Sequence, residues 1–80
     1  MLTKSDRIFD FISKYFEQKG IDITFDTALI EDGLLDSMEI VDFILALESF
    51  MAVEYEPECF EIRNFKSIKI LIQNLREIQF

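Results

Sequence analysis

Eighty residues, half of them hydrophobic and nine of them Phe, suffice for one small domain with its own core and do not make a disordered tail. A net charge of −8 argues against nucleic acid and anionic membrane surfaces, and the absence of His removes the commonest zinc ligand and catalytic base. The lone Cys59 forms no internal disulfide, no apolar run reaches membrane-spanning length, and the amino terminus carries Lys4, Asp6, Arg7 and Asp10, unlike a secretory signal; the expected setting is the reduced cytoplasm.

The charge is unevenly placed. Every Lys and Arg lies at or before Lys19 or at or after Arg63, while acidic residues run from Asp22 to Glu61. A solvated surface is one reading of such a run. One sign of charge over the whole middle also repels itself, which favours a surface that meets basic partners.

The first helix is expected to begin at Thr3 or Ser5, with Thr3 and Asp6 as a capping box in which Asp replaces the longer Glu. Ile8, Phe9, Ile12, Tyr15 and Phe16 form one apolar stripe, and Asp10, Lys14 and Glu17 fall opposite it. Gly20 is placed to end this helix. From Ile21 to Leu35 no helical period persists, although Leu29, Ile30, Leu34 and Leu35 are apolar enough to pin the segment to a core. A connection this long in so small a domain points to a function.

The second helix is expected over about Ser37 to Met51. Met38, Val41, Ile44, Leu45, Leu47, Phe50 and Met51 cover more than one stripe, so the helix is expected to be central to a bundle, partly offered to partners, or both. Val53 and Tyr55 then alternate with acids, and Pro57 suits the first turn of a short helix. Asn64 is read as the N-cap of a last helix with Ile68, Leu71, Ile72, Leu75 and Ile78 on its apolar face. The expected architecture is all-α: three main helices, one short helix before the last, and a long first loop, in a single domain spanning residues 1–80.

Catalytic chemistry finds few parts here. Without His there is no Ser-His or Cys-His pair, no lysine neighbours Ser37 to act as its base, and Cys59 sits among acids that blunt a thiolate. A calcium loop fails on ligands. Gly33 and Glu39 have the spacing of its sixth and twelfth positions, but Ala28 and Ile30 would stand at the first and third. No catalytic residue and no resident metal are expected.

At the start of the second helix, Asp36 and Glu39 have the spacing of a cap that is bonded back from the first turn. Ser37 is then not needed for capping and sits at the positive end of the helix dipole, which accommodates a phosphate. Local chemistry alone reads Ser37 as a cap or a surface serine.

The stretch Gly33-Leu34-Leu35-Asp36-Ser37-Met38-Glu39, entering an apolar and acidic helix, resembles the attachment motif of acyl and peptidyl carrier proteins. The resemblance extends over nearly the whole chain. It implies a small four-helix bundle in which Ser37 receives 4′-phosphopantetheine from coenzyme A and Asp36 assists attachment by helping to hold magnesium during transfer. It further implies that Met38 is read by partners beside the arm, and that Glu39, Asp42 and Glu48 meet basic patches on partner enzymes. For these acids ordinary helix solubility is the competing reading. Met38 in place of the commoner Leu, with Leu34-Leu35, is nearer to D-alanyl carriers and free-standing carriers of specialised pathways.

The expected function is therefore to hold an acyl or aminoacyl group as a thioester and present it to other enzymes. The implied partners are a phosphopantetheinyl transferase, a loading ligase and a downstream transferase, with the carrier itself monomeric and neither inserted in a membrane nor bound to nucleic acid. The competing class is a cofactor-free helical adaptor that docks a partner through the second helix.

Overall fold

Side-chain caps set where the helices begin in the computed structural model, which describes residues 2–79. Thr3 Oγ1 accepts from Asp6 N at 3.1 Å and Thr3 N donates to Asp6 Oδ2 at 3.2 Å, opening α1 (Lys4–Glu17). A matching box at Asp36 and Glu39 opens α2 (Ser37–Met51), and Ser67 Oγ accepts from Ile70 N at 3.1 Å to open α3 (Ile68–Asn74). The chain is mostly helical, and no β-strand occurs among the described residues.

Two helices end on left-handed residues. Gly20, at φ 77°, follows α1 as the sequence predicts, and Gly20 N and Ile21 N bond back to Glu17 O and Phe16 O. Ala52, at φ 57°, performs the same reversal after α2, with Val53 N bonded to Glu48 O. Here an alanine takes a place that glycine fills without strain.

The helices α1 and α2 run antiparallel. Arg7 lies 5.7 Å from the Phe50 ring near one end of the pair, and Lys19 Nζ lies 4.0 Å from Glu39 Oε2 at the other. Between them Ile8, Ile12 and Phe16 meet Ile40, Phe43, Ile44, Leu47 and Met51, closed from the loop by Leu29 and Leu35 and from α3 by Ile68 and Leu71. Burying each of these Phe, Leu and Ile side chains contributes about 1.5–3 kcal/mol. That is what makes α3 stable, since its seven residues are too few for a helix in water on its own.

The region after α2 differs from the sequence expectation. Instead of one short helix there are two consecutive 3-10 turns, Pro57–Phe60 and Ile62–Phe65. Asn64 is not the cap of the last helix: it is buried in the second turn and its Nδ2 donates to Glu58 O at 2.7 Å. Ser67 caps instead, so the helix starts later. It also stops at Asn74, leaving Leu75 and Ile78 outside it, because the following segment pairs with the one after α2. Glu56 N bonds to Arg76 O and Ile78 N to Glu54 O, both at 2.8 Å, around an antiparallel bridge between Tyr55 and Glu77.

The long loop is built from turns. Thr24 N donates to Thr27 Oγ1 at 2.8 Å, and Leu34 N and Leu35 N both bond to Leu29 O. Gly33 turns at φ 73° just before the second helix. The loop is also fastened to the first amides of α3: Ile68 N bonds to Thr27 O at 3.1 Å and Lys69 N to Phe25 O at 2.9 Å.

Candidate functional site at the start of α2

Asp36 has extended backbone geometry, and its Oδ1 accepts from Met38 N at 2.9 Å and Glu39 N at 2.8 Å. Glu39 reaches back, its Oε1 accepting from Asp36 N at 3.2 Å. Two acidic side chains thus satisfy the amides that a helix start leaves open. Ser37 is the first helical residue, exposed, and among the described residues its hydroxyl has no hydrogen-bond partner.

This division of labour gives the site its chemical character. The capping role falls to Asp36, so Ser37 Oγ stands exposed at the positive end of the α2 dipole, engaged in no hydrogen bond among the described residues. Among the described residues no basic side chain bonds to it. The second oxygen of Asp36 makes no hydrogen bond among the described residues and faces no internal duty. Ser37 and Asp36 therefore fit a phosphate-linked group with a cation held beside it during attachment. Among the described residues, no three His, Cys, Asp or Glu side chains gather as a metal site.

The residues of α2 expected from the sequence to face partners separate into classes. Met38 is 81% exposed, Val41 45% and Leu45 52%, and their spacing puts them on one side of α2. Ile40, Phe43, Ile44, Leu47 and Met51 occupy the buried side. Asp42 is exposed beside the outer stripe and has no ion-pair or hydrogen-bond partner among the described residues. Glu39 and Glu48 are engaged within the domain. Glu39 serves the cap and approaches Lys19; Glu48 Oε2 accepts from Tyr55 N at 2.6 Å.

Sequence reasoning had no access to that Glu48 bond, whose partner lies in an irregular segment. The outer stripe was within reach, because 38, 41 and 45 fall on one helical face and 40, 44, 47 and 51 on another.

Elsewhere Cys59 is buried. Its Sγ accepts from Arg76 N at 3.3 Å and lies 3.6 Å from Asn74 O, a structural placement at the end of α3. Tyr55 is also buried and its hydroxyl is unpartnered among the described residues; burial first, then the Glu77 carboxylate, pushes its pKa up to about 12. No helix of the described chain is long and apolar enough to cross a membrane.

Compared with known proteins, the chain matches no family model, no curated protein and no solved structure.

Proposed function

We propose that the chain is a carrier protein that holds an acyl or aminoacyl group on a 4′-phosphopantetheine arm attached to Ser37. In this reading its three helices and the two 3-10 turns form a carrier-type four-helix bundle, with the turns in the place of the short helix. The observation that carries the reading is the Asp36–Glu39 box, which frees an exposed Ser37 hydroxyl in the first turn of α2.

Attachment is the work of another enzyme. Ser37 Oγ attacks the pantetheine-bearing phosphorus of coenzyme A and loses its proton to the transferase, and adenosine 3′,5′-bisphosphate leaves. When bound, the arm supplies the thiol on which the cargo rides as a thioester, a role no serine hydroxyl fills at neutral pH. The domain contributes attachment and recognition and is not itself an enzyme. Asp42 and the stripe of Met38, Val41 and Leu45 would meet partners with apolar contacts rimmed by basic residues, steered by the acidic surface and released readily. The cytoplasm, where the transferase and coenzyme A are found, is the proposed setting.

The test is incubation with coenzyme A and a broad-specificity phosphopantetheinyl transferase, read by intact mass. The expected result is addition of one arm to the wild type and none to Ser37→Ala. An unmodified wild type, or equal modification of the variant, overturns the proposal. The exposed stripe on α2 favours a second reading, a cofactor-free adaptor; an unmodified protein isolated from its own host would support it.

A further inference from the structure

We infer that the cargo of this carrier is a short or polar acyl group, such as an aminoacyl group, carried in solvent and not inside the domain. The inference rests on the carrier reading of Ser37.

An arm on Ser37 leaves the domain at the first turn of α2. For a long alkyl chain to be sheltered nearby, it must enter between α2 and its neighbours. That space is filled by stiff rings. The Phe43 centroid lies 5.1 Å from Tyr15, 6.0 Å from Phe16 and 6.3 Å from Phe65, so one ring of α2 touches rings from α1 and from the second 3-10 turn. Phe16, Phe43 and Phe65 have no exposure, and Leu35 and Ile40, which flank Ser37 in sequence, have 2% and 1%. A planar ring with two rotatable bonds cannot fold aside as Met does, and a close-packed interior resists added methylenes.

Two hollows with apolar lining lie elsewhere. One of about 480 Å³ is lined by Phe25, Lys69 and Ile72, and another of about 280 Å³ by Ile8, Tyr55 and Leu75; both include Ser5, at the start of α1. Ser37 stands near the other end of α1, as the approach of Lys19 to Glu39 establishes. A thioester on the arm is therefore met by water, and a long alkyl chain there would stay largely exposed. A short or charged group has no such penalty.

The experiment loads the unmodified protein with butanoyl- and dodecanoyl-coenzyme A through the transferase, confirms each product by intact mass, and measures thioester cleavage by hydroxylamine. Amide NMR spectra are recorded on both. Cleavage rates within about twofold of each other, with Phe43 and Phe65 amides unmoved, are expected. A dodecanoyl thioester cleaved several-fold more slowly overturns the inference, as do chain-length-dependent shifts at Phe43 and Phe65 or at Phe25 and Ile72. Failure of both arms to attach removes the carrier reading and this inference with it. Attachment followed by protection removes the inference alone.

Discussion

The Glu48 carboxylate accepts the backbone N–H of Tyr55 at 2.6 Å, tying the last turn of α2 to the segment that leaves it. A carboxylate held this way is part of the fold first. Glu48→Ala is expected to lower stability by about 1–3 kcal/mol in urea unfolding, because a part-buried amide loses its charged acceptor. Asp42→Ala should stay within about 0.5 kcal/mol of wild type. An unchanged midpoint for Glu48→Ala would show that the bond contributes nothing.

Asp42 is the acid on α2 that is exposed and makes no hydrogen bond or ion pair among the described residues, which under the carrier proposal suits it to docking. If the carrier proposal holds, Asp42→Lys is expected to raise the KM of a phosphopantetheinyl transferase for this chain at low salt, and the effect should shrink as salt is added. An effect independent of salt would contradict steering.

Asp36 and Ser37 should divide stability from modification. Asp36→Ala removes an N-cap and should cost about 0.5–2 kcal/mol. Ser37→Ala should unfold within about 0.5 kcal/mol of wild type and accept no arm. Asn also caps well, so Asp36→Asn should keep most of the stability while slowing attachment through the lost charge. Thermal unfolding and intact-mass time courses on the same three variants check all of this.

The left-handed Ala52 offers a stabilising change. An L-residue in this conformation costs roughly 1–2 kcal/mol, and the entropy of an added glycine returns roughly 0.5–1 of it. Ala52→Gly should therefore raise stability by about 0.5–1 kcal/mol, or several degrees in Tm at roughly 4–8 °C per kcal/mol for a domain of this size. A lowered Tm would contradict the assignment of strain.

Tyr55 makes stability depend on alkaline pH. Its phenol stays protonated in the folded chain up to about 12, against 10.0 for the unperturbed group. The contribution is complete below pH 10 and is lost as pH rises toward 12, since the unfolded chain ionises first. Tyr55→Phe should flatten that decline. At neutral pH the variant should be as stable as wild type or more so, because the hydroxyl it removes is buried without a partner among the described residues. Urea midpoints measured from pH 8 to pH 11 decide both points.

What was legible in the sequence followed local rules. The Thr3–Asp6 and Asp36–Glu39 boxes, the α1 stripe and the stop at Gly20 each depend on residues within a few positions, and each stands where the pattern put it. The errors cluster after Pro57. Asn64 has a side chain suited to capping, yet burial and its bond to Glu58 O claim it for a 3-10 turn. Leu75 and Ile78 keep the helical period, yet pairing of Arg76 and Ile78 with Glu56 and Glu54 draws the chain into extended form. At the start of α2, the Asp36–Glu39 cap and the first-turn place of Ser37 were readable. The internal use of Glu48 was not, because a carboxylate does not announce its partner.

The two bonds from Thr27 and Phe25 to the first amides of α3 bear on how the domain opens. Those amides are the ones a helix normally leaves to solvent, and here they are held by a loop more than forty positions earlier in the chain. A two-turn helix has no independent existence, so losing the loop means losing the helix. The stretch that looks least regular in the sequence and the shortest α-helix are consequently expected to open as one cooperative unit, whose amides should exchange with solvent together.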